Sequence, residues 1–331
     1  MTWAELDWTS LGRQRERFLG GVPSSGPYWA SLADLAGYDM TYGERIGWKW
    51  DAVLDELVMR GWAPPRGCVL DWGCGSGIAG RRVARRFGHE ALGALMVWDH
   101  SPLATAFAQD KAGRDIPGIA VSAATSEFLT GSEPIGLLVV SHVLNELAPS
   151  DLADLRALAK RSRSVIWVEP GSHDISRALG LLRDEWSLEF HVVAPCTHAK
   201  ACPILAPGNE RHWCHHFAAP PSAIFADSNW VRFGQRAGID LRSLPYSFVA
   251  LDRSWGGGEA GLSRVIGRPE HFKPYVRLLN CDAGGLEELM LMKRDNAALC
   301  KELDKTKRPL VYRWTRDGAK ITAGSTAHPR S

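Results

Sequence analysis

An acid followed by three glycines at alternate positions, Asp71-Trp-Gly73-Cys-Gly75-Ser-Gly77, is the pattern in this chain best suited to holding a nucleotide-type ligand. Glycine lets the backbone turn tightly and lets a ligand reach the main chain, and a helix start beyond such a loop offers free N–H groups. A second acid, Asp99, follows 26 residues after Gly73, at the end of the apolar run Ala94-Leu-Met-Val-Trp. A carboxylate there can accept hydrogen bonds from both hydroxyls of a ribose. The dinucleotide fingerprint shares this geometry, but its spacing is G-x-G-x-x-G with the third glycine inside the helix. The spacing here is different.

A second group of chemistry-bearing residues lies downstream. Cys196, Cys202 and Cys214 fall within nineteen residues, and Cys281 stands at the end of a later apolar run. Clustered thiols in a reducing compartment act more often as metal ligands or redox groups than as disulfides. Four thiolates close a zinc site or an iron–sulfur site. His198, His212, His215 and His216 sit among them, so a mixed Cys/His zinc site is chemically open. Pro195 and Pro203 stiffen the turns beside two of the thiols. Ala194-Pro-Cys196 has the form of a Pro-Cys methyltransferase nucleophile, but it follows the fifth expected strand rather than the fourth, so that role is rejected.

A third candidate is Ser141-His-Val-Leu-Asn145-Glu146, directly after an apolar strand. Asn145 or Glu146 could orient an N–H and accept its proton, or could simply begin the next helix. Arg81/Arg85 and Arg82/Arg86 are like-charge pairs four apart, read as a solvated face. From Lys293 to Arg330 there are ten Lys/Arg against four Asp/Glu. Between Lys305 and Arg316, cations alternate with Tyr312 and Trp314, a pattern suited to phosphates and stacked bases.

The elements that position these groups follow from periodicity. Residues 1–62 form a helical N-terminal extension: Leu54, Leu57, Val58 and Trp62 keep helix spacing, and Pro64-Pro65 stops it. Apolar strands are expected at Cys68–Asp71, Ala94–Asp99, Ile135–Ser141 and Ser164–Glu169, alternating with helices capped by Ser101 and Ser150. This alternation predicts a parallel sheet covered on both faces, with the glycine loop and its cofactor-binding core over 63–190. Residues 191–221 carry neither period and read as a Cys/His-rich metal-binding insertion. Residues 222–298 supply the remainder of the sheet, with a helix near 226–237, strands at Tyr246–Leu251 and Tyr275–Asn280, and Leu289–Lys293 paired back through Gly284-Gly285. Residues 299–331 form a basic tail.

Composition places the chain among folded globular proteins, with 45% hydrophobic and 23% charged residues. No run approaches a membrane span, and the N-terminus lacks a basic n-region, so a cytoplasmic location is expected with no membrane partner. The sequence sets no oligomeric state.

The glycine loop with its acid and Asp99 resembles motif I of class I S-adenosylmethionine-dependent methyltransferases. That resemblance implies a Rossmann-like, mostly parallel α/β sheet. It assigns S-adenosylmethionine to Asp71, Gly73, Gly75, Gly77 and Asp99, with Asp71 near the methionine end and Asp99 on the ribose. From about residue 30 to 318 the chain is further similar to the predicted rRNA methylases related to the mitochondrial small-subunit assembly protein methyltransferase-like protein 17. Leu70–Gly77, Ser141–Leu147, Val168–Gly171, Ala194–His198, Cys202-Pro203, Trp213–His215, Tyr246–Leu251 and Val276–Cys281 carry that likeness. It implies a 4Fe–4S cluster on Cys196, Cys202, Cys214 and Cys281, with zinc as the alternative, and action on small-subunit rRNA during assembly. The fold is compatible with three roles: an rRNA methyltransferase, a non-catalytic rRNA-binding assembly factor, and a small-molecule methyltransferase with structural zinc.

Overall fold

The computed structural model describes residues 1–20, 29–305 and 309–327. In chain order the first elements are α1 (Trp8–Gly20), α2 (Leu32–Tyr38), α3 (Glu44–Met59), β1 (Cys68–Trp72), α4 (Ile78–Ala91), β2 (Ala94–Trp98) and α5 (Pro102–Asp115). There follow β3 (Ala120–Ala123), α6 (Ser126–Thr130), β4 (Ile135–Ser141), α7 (Pro149–Lys160) and β5 (Ser162–Pro170). Next come α8 (His173–Trp186), β6 (His191–Ala194), β7 (His216–Ala218), α9 (Ser228–Ala237) and β8 (Leu244–Asp252). The chain closes with β9 (Ser263–His271), β10 (Tyr275–Asp282), β11 (Gly285–Met292), α10 (Ala297–Lys305), β12 (Val311–Asp317) and β13 (Lys320–Thr326). Among the described residues no helix is long and apolar enough to cross a membrane.

The chain divides into two compact units. The first comprises residues 1–54, 63–168 and 219–244. Its centre is a parallel sheet in which β2 lies between β3 and β1, and β4 between β1 and β5. Strand β4 is buried along Ile135–Val140, as a strand covered on both faces must be. The order reverses at β1, whose partners are β2 and β4, and ligands bind beyond the carboxyl ends of strands at such a switch point.

Helix α4 leaves that point with Gly77 as its N-cap in the left-handed region. Of its arginines, Arg85 and Arg86 are exposed as expected, but Arg81 and Arg82 are not part of a solvated face. Arg81 is buried and pairs with Asp39, and with Asp115 at 2.8 Å, while Arg82 meets Glu44 at 2.5 Å and Asp51 at 3.1 Å. The like-charge crowding is relieved by acids from other helices. Ser101 caps α5 as expected. Helix α7 instead begins at Pro149, and its cap is built by Asp151, whose carboxylate accepts from Ala148 N at 3.0 Å. Ser150 therefore lies inside the helix.

The second unit comprises residues 55–62, 169–218 and 245–331. Strand β6 runs antiparallel to β8, and β7 also pairs with β8. Strands β9–β13 close a barrel in the order β10-β11-β13-β12-β9. All pairings in it are antiparallel except β11 with β13. Its interior is filled by Val265, Val276, Leu278, Leu289, Leu291, Tyr312 and Ile321, with α10 covering one end through Leu299 and Leu303. Residues 222–298 therefore do not simply complete the parallel sheet, and 299–331 is not a free tail, because β12 and β13 are barrel strands. Tyr312 is buried within it, stacked on Trp314 at 4.4 Å, and its hydroxyl donates to Glu302 at 3.1 Å. The expected base-stacking role is thus closed to Tyr312. Lys307 and Arg308, from the same stretch, lie outside the described residues.

Candidate functional site

The first unit holds a cavity of about 440 Å³ at the carboxyl ends of β1, β2 and β4, within the size range of small-molecule sites. Gly73, Gly75, Asp99 and Glu146 line it. Gly73 and Gly75 adopt φ of +67° and +52°, a region side-chain-bearing residues rarely enter. A Cβ on Gly73 would stand 2.8 Å from Val143 Cγ1. The loop thus brings bare main chain to the cavity wall, a cradle that a Cβ would disrupt. Asp99 is fixed within it: Oδ2 accepts from Gly75 N at 2.9 Å and Oδ1 from Ser101 N at 2.9 Å.

The other expected residues are arranged differently. Asp71, Gly77 and Asn145 are not part of the cavity lining. Asp71 is fully buried, and its Oδ2 accepts from Gly80 N at 2.9 Å in the first turn of α4. Burial pushes its carboxyl up to about 7, against the pull of the Gly80 N–H. Gly77 packs on α5, where a Cβ would meet Ala108 Cβ at 2.8 Å. Glu146 is also raised to about 7, first by burial and then by the Asp99 charge. A carboxyl poised there can accept or return a proton near neutrality.

Several lining residues escaped the sequence reading. Trp29 and Tyr38 meet edge to face at 5.0 Å on the cavity wall. Trp72 stacks on Trp98 at 5.0 Å, and His100 packs edge-on against both. His142 sits in the left-handed region at φ +56° and is buried. Its Nε2 lies 3.2 Å from Lys49 Nζ, and its Nδ1 3.3 Å from Ser141 Oγ, which accepts from Trp50 Nε1 at 2.9 Å. A local signal was present only for His142, which directly follows β4.

In the second unit the four cysteines lie near one another. Burial and the Cys196 thiol push Cys202 up to about 11, and burial followed by the Cys196 and Cys202 thiols raises Cys214 strongly. Cys281 is raised by burial and by all three other thiols. His216 Nε2 stands 3.7 Å from Cys214 Sγ, and His198 Nε2 4.0 Å from Cys281 Sγ. Yet among the described residues no group of three or more His, Cys, Asp or Glu side chains is arranged to hold a metal ion. The expected metal-binding insertion is corrected to that extent. A tetrahedral zinc with bonds of about 2.3 Å would need its sulfurs within about 3.8 Å of each other.

What orders this loop is a set of guanidinium clamps. Arg60 donates to the carbonyls of Val193 (3.0 Å), Pro195 (2.9 Å) and Cys196 (3.1 Å). Arg183 donates to His198 O and Lys200 O, and Arg177 to the carbonyls of Ile204, Asn209 and His212. Asp184 accepts from Cys202 N at 2.9 Å. A Cβ added to Gly180 would stand 3.8 Å from Cys202 Sγ, so α8 lies directly against that thiol. Arg60 is itself held by Glu56, which also binds Arg264 in a buried triad. Burial would raise the Glu56 carboxyl, but the two guanidiniums outweigh it and hold it below the usual range.

A family model described as mitochondrial small ribosomal subunit Rsm22 matches residues 51–310. No curated protein matches the chain. Among solved structures, the chain is similar to magnesium protoporphyrin IX methyltransferase from Synechocystis PCC 6803 with bound S-adenosylhomocysteine. The identity is 16%, with 74% of this chain and 95% of that one covered and a TM-score of 0.36. It is similar to an rRNA methylase from Streptococcus thermophilus at 11% identity, covering 60% and 93%, with a TM-score of 0.33. The plantazolicin methyltransferase BamL, in complex with a triazolic desmethylPZN analog and S-adenosylhomocysteine, matches at 13% identity, covering 74% and 98%, with a TM-score of 0.38.

Proposed function

Because the chain belongs to the mitochondrial small ribosomal subunit Rsm22 family, we propose that it binds S-adenosylmethionine in the first-unit cavity and acts on small-subunit rRNA. The observation that carries this reading is the pairing of the bare Gly73/Gly75 cradle with Asp99 and Glu146 in one cavity. Asp99, which lines the cavity beside the loop, would hold the ribose. The cofactor, when bound, supplies an electrophilic methyl group. Glu146 would accept the proton released by a nucleophilic nitrogen, and Trp29 and Tyr38 would exclude water from one wall. Titration calorimetry of the full chain with S-adenosylmethionine tests the proposal. Saturable binding that Asp99→Ala weakens tenfold or more supports it, and no heat from folded wild type sinks it.

A second reading, a non-catalytic rRNA-binding assembly factor, is favoured by one observation. Ser141, the last residue of β4, and His142 line the cavity, but Ser141 Oγ already accepts from Trp50 Nε1 and His142 Nε2 already meets Lys49 Nζ, so both polar groups are engaged. This version predicts cofactor binding or none, with no methyl transfer to rRNA.

We further propose that Cys196, Cys202, Cys214 and Cys281 hold a 4Fe–4S cluster. Its four thiolates each bond a different iron of the cube, so their sulfurs stand farther apart than around a single ion. The mutual influence of the four thiols and the clamps that order the loop support this assignment. Anaerobically purified protein should be brown, with iron and acid-labile sulfide in equal amounts. Colourless protein with neither overturns it.

A further inference from the structure

The barrel has a connectivity with a known use. Its first strand, β9, pairs with β10 and β12, and β10 pairs with β11. Strand β11 runs parallel to β13, and α10 joins the third strand to the fourth. This is the arrangement of the OB-fold. In that fold the outer face of the second and third strands binds oligonucleotides, together with the loops joining strands one to two and four to five. We propose that the outer face of β10 and β11, beside the turn Phe272–Pro274, binds single-stranded RNA. The proposal deepens the rRNA reading above and rests on it for the choice of RNA.

Strand alternation identifies the face. Val276, Leu278, Leu289 and Leu291 point into the barrel core, so Tyr275, Arg277 and Leu279 on β10, and Glu288, Met290 and Met292 on β11, point outward. These residues are register partners, Tyr275 with Met292, Arg277 with Met290 and Leu279 with Glu288. One end of the face is covered by the thiol-bearing loop: Lys200 Nζ donates to Ala283 O at 2.8 Å, and Arg211 meets Glu288 at 3.3 Å.

The other end carries an exposed aromatic step. Phe272 is 38% exposed and Met290 41%. Phe272 stacks on Tyr275 with centroids 4.8 Å apart, and the Arg277 guanidinium lies over the Phe272 ring at 5.4 Å. Three connecting turns meet beside it. Lys293 N donates to Pro274 O at 2.9 Å, Met290 N to Ala319 O at 2.9 Å, and Lys320 pairs with Asp295 at 2.7 Å. Of the acids at this end, Glu270 is matched by Arg277 and Asp295 by Lys320 and Arg294, while Asp317 at the end of β12 stands exposed. Lys273 at the turn and Arg294 stand exposed. An aromatic platform bordered by cations is what a single strand requires: rings stack on unpaired bases and cations meet the phosphates. A paired duplex hides its base faces and gains nothing from Phe272.

Fluorescence anisotropy of the full chain with a labelled oligouridine of about 12 nucleotides, within OB-fold site sizes, tests this. Phe272→Ala should weaken binding about tenfold, the loss expected for one base stack. Lys273→Glu with Arg294→Glu should lower the salt slope by roughly one to two. All three residues are exposed, and circular dichroism checks that the variants are folded. S-adenosylmethionine calorimetry on the same variants should be unchanged, so failure of the cofactor reading is scored separately. No binding of oligouridine by wild type at low salt, unaltered affinity in both variants, or stronger binding of an oligosaccharide overturns the proposal.

Discussion

Asp71 and Gly80 are joined by a hydrogen bond of 2.9 Å from the helix N–H to the carboxylate, so the acid of the glycine motif braces α4 instead of lining the cavity. Its second oxygen, Oδ1, has no hydrogen-bond partner among the described residues. A buried carboxyl raised to about 7 binds its proton more tightly folded than unfolded. Between about pH 4 and 7 the native state therefore holds more protons, and stability falls as pH rises. Wild-type protein should lose melting temperature from pH 5 to pH 8, and Asp71→Asn should flatten that slope whatever its absolute stability. An equal slope in the variant would refute the assignment.

Glu146 should govern catalysis through its charge. Its carboxyl sits at about 7, and it accepts a proton only when ionised. Methyl transfer to rRNA should therefore climb with pH through about 7. Glu146→Gln should lower turnover about 100-fold or more, the usual share of a general base, and leave the cofactor dissociation constant within a few-fold. A variant with wild-type turnover and pH profile would remove Glu146 from the chemistry.

The guanidinium clamps should be measurable as loop order. Hydrogen bonds from a charged donor contribute about 1.5–3 kcal/mol each, and Arg177 makes three to the carbonyls of the thiol-bearing loop. Arg177→Met should speed amide hydrogen exchange across residues 202–214 while β1–β5 keep their protection. Unchanged exchange in that segment would mean that the loop is ordered by other contacts.

Removing Glu56 should cost more than removing any one surface pair. It is fully buried between Arg60 and Arg264. Its loss strands two cations, typically destabilising by about 3–5 kcal/mol. Glu56→Ala should show this as a lower denaturant midpoint, and a cost below about 1 kcal/mol would be incompatible with the buried triad.

The parts legible in sequence were those encoded locally. The strands β1, β2, β4 and β5 are apolar runs bounded by turns, and the glycine loop announces its own geometry. The burial of Arg81 was not legible, because its partners Asp39 and Asp115 lie 42 and 34 residues away on other helices. The barrel was hidden for a similar reason. Its strand β12, Val311–Asp317, buries only Val311 and Tyr312 and then runs mostly exposed, so Tyr312 looked like a free stacking residue. The partner strands that bury it, β9 and β13, carry no strong pattern of their own. Trp29 and Tyr38 reach the cavity wall by packing of α2 on α5 around Leu35 and Ala104, which spacing along the chain does not reveal.

The short segment Asp55–Trp62 belongs to the second unit although the residues on both sides of it belong to the first. Glu56 meets Arg264 across 208 residues, and Trp62 donates to Asp252 across 190. Contacts so distant in sequence require closing very long loops before they give any stabilisation, and that slows folding. During synthesis Glu56 and Trp62 emerge long before the strands that complete their surroundings. At an elongation rate of about 5–20 residues per second, the wait lasts on the order of ten seconds or more. Over that interval a carboxylate destined for full burial stands in water, and its apolar neighbours Leu57 and Trp62 stand exposed beside it.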